Sequence, residues 1–186
     1  ASKVEINAQS SITYNKHNWN DSRNVSLDGE AYFEVAKGST FEVTTPNGIV
    51  RVLGTKFNVK QRDNTFEVVC YEGLVQVFYG SYTEKLSAGN RLLILDGKLV
   101  ANEKENITEP SWINNQSTFK SLPYKEVIAE FERQYDITID TQNVNDSQLF
   151  TGSFTHNNLD VALKSITLPL QLTYTKTGKT ILLQRE

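Results

Sequence analysis

Along the first hundred residues, apolar and polar positions alternate with a period of two. Val25, Leu27, Ala31, Phe33 and Val35 share one strand parity, with Asp28-Gly29 as a bend or bulge between two short strands. Neighbouring side chains of a strand point to opposite faces, so this alternation predicts strands with one face in a core. Phe41 and Val43 run into Pro46-Asn47-Gly48, and Val50 and Val52 lead back. Asn-Gly supplies the positive φ angles of a tight turn, so a hairpin is expected there. Val52 to Val59 reads as a core strand interrupted by Gly54-Thr55. Further strands are read at Phe66–Tyr71, Leu74–Tyr79 and Arg91–Leu95, the last turning at Asp96-Gly97 into Lys98-Leu99-Val100. Strands recurring every eight to twelve residues or so, with no helical period between them, predict a mainly β N-terminal domain of antiparallel strands, a sandwich, a roll or a solenoid-like stack.

The period then changes. Ala101 to Ser117 is polar, carries Pro110 and shows no pattern beyond an isolated Trp112 and Ile113. It reads as a linker, placed at 109–118 between domains 1–108 and 119–186, with Trp112 docked against one of them. After a short strand at Phe119, Leu122-Pro123 opens a helix. Val127, Ile128, Phe131 and Tyr135 fall on one face, and Lys125, Glu126, Glu130, Glu132 and Arg133 cover the remainder. Strands follow at Ile137–Ile139 and Phe150–Phe154. A second helix after Asn157-Asn158 turns Leu159, Ala162, Leu163 and Ile166 inward, and a hairpin closes the chain with Gln171–Thr175, a turn at Thr177-Gly178, and Thr180–Gln184. The order β-α-β-β-α-β-β predicts a small α+β domain, two helices on one sheet.

Composition removes several function classes. Nineteen Lys and Arg against 22 Asp and Glu leave a net charge of −3, and there is no basic run, stacking motif or zinc-finger spacing, so nucleic acid is not an expected partner. No segment reaches the roughly 18 consecutive apolar residues of a membrane span. The stretch has no leader peptide and reads as a fragment freed from any membrane anchor. One cysteine, Cys70, in a β-rich segment excludes an internal disulfide and is expected as a small buried apolar residue. His17 and His156 lie far apart and match no ligand spacing, so no metal and no cofactor is expected. Carboxylates such as Asp28 and Glu30 are expected to face solvent, and nothing marks a catalytic pair.

Three segments together carry a resemblance: Gly29-Glu30-Ala31-Tyr32-Phe33-Glu34-Val35, Phe41-Glu42-Val43-Thr44-Thr45-Pro46-Asn47-Gly48, and Val50-Arg51-Val52-Leu53-Gly54-Thr55-Lys56-Phe57-Asn58-Val59. In order and spacing they resemble the periplasmic domain of FecR-type anti-sigma-factor regulators. Glu72-Gly73-Leu74-Val75-Gln76-Val77 and Leu86-Ser87-Ala88-Gly89-Asn90 occupy the places of that family's later segments, and Ser2 to Tyr14 is similar to its opening strand. Phe119 to Val127, Phe131 to Ile137, Phe150 to Phe154 and Leu159 to Leu172 resemble the C-terminal domain of many such regulators, itself similar to the short signalling domain of secretins and TonB-dependent transducers. The resemblance implies the periplasmic sensing portion of a regulator anchored in the inner membrane by a segment absent from this chain. It implies two partners: the periplasmic signalling domain of a TonB-dependent outer-membrane transporter, and an extracytoplasmic-function (ECF) sigma factor reached through a cytoplasmic segment that is also absent.

Such a relay works by protein recognition rather than enzyme chemistry. A sheet edge can accept a partner's strand, and the expected docking edges are Ile137, Thr138, Ile139 and Asp140, or Gln171, Leu172, Thr173, Tyr174 and Thr175. Proline at Thr138 or Thr173 is expected to abolish transducer binding while the domain stays folded. The resemblance also implies a reaction at Gly54-Thr55, since some proteins with this domain cleave themselves at such a pair. The threonine hydroxyl attacks the carbonyl before its own amide, and water opens the ester. The alternative is structural, with Gly54 admitting a bulge or close backbone approach. A different function class, a carbohydrate- or cell-wall-binding module, would need Tyr14, Trp19, Tyr32, Tyr79 and Tyr82 gathered on one exposed face.

Overall fold

The computed structural model describes residues 2–19, 22–104 and 107–185. The chain divides into two units, Ala1–Pro110 and Ser111–Glu186. In the first, the alternating stretches form β1 (Lys3–Ile6), β2 (Ser11–Tyr14), β3 (Arg23–Glu34), β4 (Phe41–Thr44), β5 (Ile49–Val52) and β6 (Lys56–Arg62). These continue with β7 (Thr65–Glu72), β8 (Leu74–Tyr79), β9 (Tyr82–Ser87), β10 (Asn90–Leu95) and β11 (Lys98–Lys104). One curled sheet runs β11-β10-β7-β6-β3-β4-β5-β8-β9, and β1 and β2 also pair with β3.

Asp28-Gly29 does not separate two strands. β3 is one strand of 12 residues that changes partners there: Arg23 to Asp28 pair with β2 and β4, Gly29 to Glu34 with β1 and β6. The long strand thereby joins two layers, and the core lies between them. Leu27 and Phe33 from β3 meet Val43 and Val77 of one layer and Phe57, Val68 and Leu92 of the other, all at most 2% exposed. Phe33 stacks on Phe57 at 4.9 Å. The β3–β4 pairing is parallel, an exception to the expected antiparallel order, because β4 returns alongside the first half of β3 rather than the half it follows.

The β4–β5 hairpin forms, but not by the expected turn chemistry. Neither Asn47 nor Gly48 has a positive φ. Thr45 closes the turn instead: its N–H and its hydroxyl each donate to Gly48 O at 2.9 Å, and Gly48 N–H donates to Thr45 Oγ1 at 3.0 Å. Glycine stands there for space, since a Cβ would lie 2.7 Å from Phe66 Cζ and 2.8 Å from Phe78 O. β9 carries no alternation signal, because Tyr82-Thr83-Glu84-Lys85 offers no apolar row. Part of the polar stretch after Val100 is strand as well: β11 extends through Lys104, while Glu105 and Asn106 lie outside the described residues.

In the second unit a 3-10 turn (Ser111–Asn114), which holds a half-buried Trp112, leads into β12 (Gln116–Pro123), α1 (Tyr124–Tyr135), β13 (Thr138–Gln142) and β14 (Leu149–Thr155). Then come α2 (Leu159–Thr167), a second 3-10 turn (Leu168–Leu170), β15 (Thr173–Thr177) and β16 (Thr180–Gln184). The order is the expected one, but the strands form two sheets rather than one, β12-β14 and β13-β16-β15. Pro123 precedes α1, and Asp136 ends it in the left-handed conformation; Asn158 caps α2 by accepting from Val161 N–H at 3.1 Å. Val127, Ile128 and Phe131 are buried as expected. Glu130, expected on the solvent side of α1, is only 2% exposed. Its carboxylate accepts from Arg133 and Gln134, one turn on, and from the Ser117 hydroxyl at 3.3 Å. A buried carboxylate persists where such donors replace water.

Candidate functional site

Gly54 and Thr55 are not within a strand; they form the corner at which the chain passes from β5 in one layer to β6 in the other. Thr55 is 3% exposed. Its N–H donates to Val35 O at 3.1 Å, and Val35 N–H donates to Thr55 O at 2.9 Å, so the corner is tied to the end of β3. The Thr55 hydroxyl donates to Leu74 O at 3.1 Å. A Cβ on Gly54 would stand 2.7 Å from Lys37 Cα and 3.0 Å from Lys37 N, and a Cβ on Gly73 would stand 3.0 Å from Gly54 O. Backbone thus packs against the Gly54-Thr55 peptide on two sides, and glycine is required at Gly54 by that approach.

β5 and β8 are paired only over Ile49–Arg51, and where they part a groove of about 420 Å³ opens beside the pair, lined among others by Leu53, Leu74 and Gln76. Its ionisable lining groups are Arg51, which is bound to Glu42, and Lys85. The Leu74 carbonyl orients the hydroxyl by accepting its hydrogen bond, and a carbonyl so placed takes no proton.

The two other predicted segments flank β16 in the three-stranded sheet, β13 on one side and β15 on the other. Ile137, Gln171 and Leu172 precede the strands. Ile137 N–H donates to Glu132 O at 3.3 Å, Gln171 is left-handed (φ 56), and Leu172 is 4% exposed with its N–H on Thr167 O at 3.1 Å. Ile139 is core at 8% exposure, while Thr138, Asp140, Thr173 and Thr175 are exposed and Tyr174 is half-buried.

Along β13, Thr138 N–H donates to Lys179 O at 2.9 Å and Gln142 O accepts from Arg185 N–H at 3.4 Å, so the even-numbered residues face β16. Ile139 and Thr141 turn their backbone groups outward, and Glu132 Oε1 takes the Ile139 N–H at 2.7 Å. Proline at Thr138 would break an internal ladder bond, as would proline at Thr173, which pairs with Gln184 of β16, so both are tests of folding rather than of docking. The sequence carried no signal for the Glu132 contact, because the residue reads as one of several solvated helix carboxylates.

The remaining expectations separate. The five rings are not gathered: Tyr14 is 58% exposed, Tyr32 is buried, and Trp19, Tyr79 and Tyr82 pack against the core. Tyr14 and Trp19 do meet, edge to face at 5.3 Å, but Trp19 leans on Phe41 at 6.1 Å. Asp28 faces solvent as expected, whereas Glu30 is 5% exposed and accepts from Asn7 Nδ2 at 2.9 Å and Asn58 Nδ2 at 2.8 Å. Cys70 is buried, and burial pushes its thiol up to about 11, which makes it unreactive at neutral pH. Among the described residues no three His, Cys, Asp or Glu side chains could hold a metal ion, and no helix is long and apolar enough to cross a membrane.

Comparison with known proteins accounts for both units. The model of the family described as FecR protein matches residues 1–76, and that of the FecR C-terminal domain matches residues 116–183. Two crystal structures of a proposed anti-sigma factor from Parabacteroides distasonis ATCC 8503, at 1.65 and 2.50 Å resolution, superpose with TM-scores of 0.89 and 0.90. Each is 26% identical over all of this chain, which covers 91% and 90% of theirs. A search of curated proteins found no significant match. The chain belongs to the FecR family and is a sensing anti-sigma regulator.

Proposed function

With membership of the FecR family as premise, we propose that this chain is the periplasmic sensing portion of a regulator held in the inner membrane. It receives a signal from the periplasmic signalling domain of a TonB-dependent outer-membrane transporter and passes it to an ECF sigma factor. The observation that carries the reading is the three-stranded sheet β13-β16-β15, which ends on exposed strands on both sides of the small unit. Strand addition at such an edge supplies backbone hydrogen bonds for affinity, and alternate side chains supply specificity. The dispersal of the aromatic rings gives a carbohydrate-binding platform no support.

The test is affinity purification from detergent-solubilised envelope of the native host, with this chain as bait. Recovery of a TonB-dependent transporter bearing a periplasmic signalling domain is expected. Recovery of peptidoglycan or glycan alone would overturn the relay.

A second reading is self-cleavage at Gly54-Thr55, favoured by the buried, oriented hydroxyl of Thr55. Thr55 Oγ1 would bond to the Gly54 carbonyl carbon, the Gly54–Thr55 C–N bond would break, and the hydroxyl proton would pass to the released amine. Water would then open the ester, leaving a carboxylate on Gly54. Intact mass after prolonged incubation checks it: two fragments summing to the chain plus one water are expected, absent in Thr55→Ala. A single full-length mass contradicts it.

A further inference from the structure

The two edges of the three-stranded sheet are not equivalent, and hydrogen-bond parity separates them. β15 and β16 are joined by Gly178-Lys179 alone, so Thr177 and Thr180 close the hairpin by exchanging both backbone bonds. The register then pairs Thr175 with Leu182 and Thr173 with Gln184 in the same way. Tyr174 and Lys176 are left with their N–H and C=O groups pointing away from β16, two donors and two acceptors in a row, and among the described residues no group meets them. β15 keeps its register over all five residues, without a bulge. On β13, by contrast, the Ile139 N–H is sealed by Glu132, so an added strand would first have to displace a charged hydrogen bond.

The side chains around β15 define what fits there. Tyr174 and Lys176 lie opposite Leu183 and Ile181, which are 0% and 2% exposed, so this face of the strand continues the buried face of the sheet. Thr173, Thr175 and Thr177 present hydroxyls on the opposite, exposed face. At the Thr173 end lies a groove of about 500 Å³ lined by Gln148, Pro169, Leu170, Gln171, Thr173 and Arg185. Among the described residues Arg185 is its one charged lining group; its Nη2 donates to Leu170 O at 3.1 Å, and the guanidinium fork has further donors with which to bind a carboxylate.

We infer that β15, and not β13, is the receiving edge, and that it takes an extended segment of the partner's signalling domain with an apolar residue beside Tyr174, polar residues on the threonine face and a carboxylate side chain in the Arg185 groove. The inference rests on the relay reading above and deepens it.

The test uses the whole chain and, as probes, the purified periplasmic signalling domains of the host's TonB-dependent transporters, taken one at a time. Amide hydrogen exchange is read with and without each. In the complex the Tyr174 and Lys176 amides become protected while Thr141 exchanges as before. Lys176→Pro removes an outward N–H and leaves the ladder to β16 intact; it lowers affinity about tenfold, and Arg185→Glu lowers it by a similar factor. Thr141→Pro leaves affinity unchanged. Exchange on the unaltered chain keeps the inference open to refutation even where a proline variant folds poorly. Binding with protection at Thr141 and none at Tyr174 and Lys176 overturns the choice of edge and leaves the relay standing. No binding by any of the domains overturns both.

Discussion

In the N-terminal unit the sheet ends on β9 and β11, and both ends are broken up as templates. β11 carries a register shift opposite Leu93 and Ile94, and β9 sets Glu84 and Lys85 at its centre. In the C-terminal unit β15 is short, regular and uncharged apart from Lys176, whose ammonium is bound to Asp160. A bulge or a row of charges discourages strand addition, and a regular edge invites it. The comparison extends to the cores. The larger unit closes two layers over one apolar cluster, whereas the smaller divides its five strands between two sheets and leaves an edge on each side of β16. The margins of the larger unit are irregular or charged, and the margin of the smaller at β15 is regular, so the proposed receiving edge falls in the smaller unit.

Substitutions should separate the units. Phe33→Ala removes a ring stacked on Phe57 in the middle of the N-terminal core and is expected to cost about 3–5 kcal/mol of that unit's stability in urea unfolding. The far-ultraviolet helix signal, which comes from the other unit, should persist past the first transition. Glu130→Ala is the counterpart in the C-terminal unit. It leaves Arg133, whose side chain is 11% exposed, without its carboxylate, at a cost of about 3 kcal/mol. Loss of both units in one transition, in either variant, would break the separation.

Smaller changes sharpen the same contrast. Thr55→Ala leaves the Leu74 carbonyl without its donor and should cost about 1–2 kcal/mol in the N-terminal unit, with binding to the signalling domain unaltered. Asn158→Ala removes the cap of α2 and should cost about 1 kcal/mol in the C-terminal unit alone.

The smallest effect is a pH dependence. Burial lowers the pKa of His156, opposed in part by the nearby Glu130 carboxylate, and its Nε2 lies 2.9 Å from Ser117 Oγ. A histidine whose folded pKa lies below its unfolded value adds stability above the unfolded value that is lost as pH falls. The C-terminal unit should therefore weaken as pH drops below about 6.5, and His156→Gln should flatten that slope in melting curves.

Much of this contrast was legible in the chain. Period-two alternation located most strands of the first unit, and the two helices of the second followed from Val127, Ile128 and Phe131 and from Ala162, Leu163 and Ile166. What alternation could not show was partnership. It gave no sign that β3 is one strand serving two layers, or that the small unit splits its strands between two sheets, because pairing depends on residues far apart in sequence. Asn47-Gly48 points to positive φ, whereas glycine stands there to admit Phe66 and Phe78. The burial of Glu30 and Glu130 is not legible in sequence because a carboxylate is buried only where donors converge, and Asn7 and Asn58 reach Glu30 from 23 and 28 residues away. At the candidate sites, sequence placed Gly54-Thr55 and the two edge segments, but which amides point outward is fixed by register alone.

The most direct test of the receiving role is made in the cell. Lys176→Pro is introduced into the full-length regulator of the native host, and transcription from the promoter of its sigma factor is followed as the transporter's ligand is added. The account predicts that the ligand-dependent change disappears while the protein accumulates to its normal level. An undiminished response, with the variant folded and present, would contradict it.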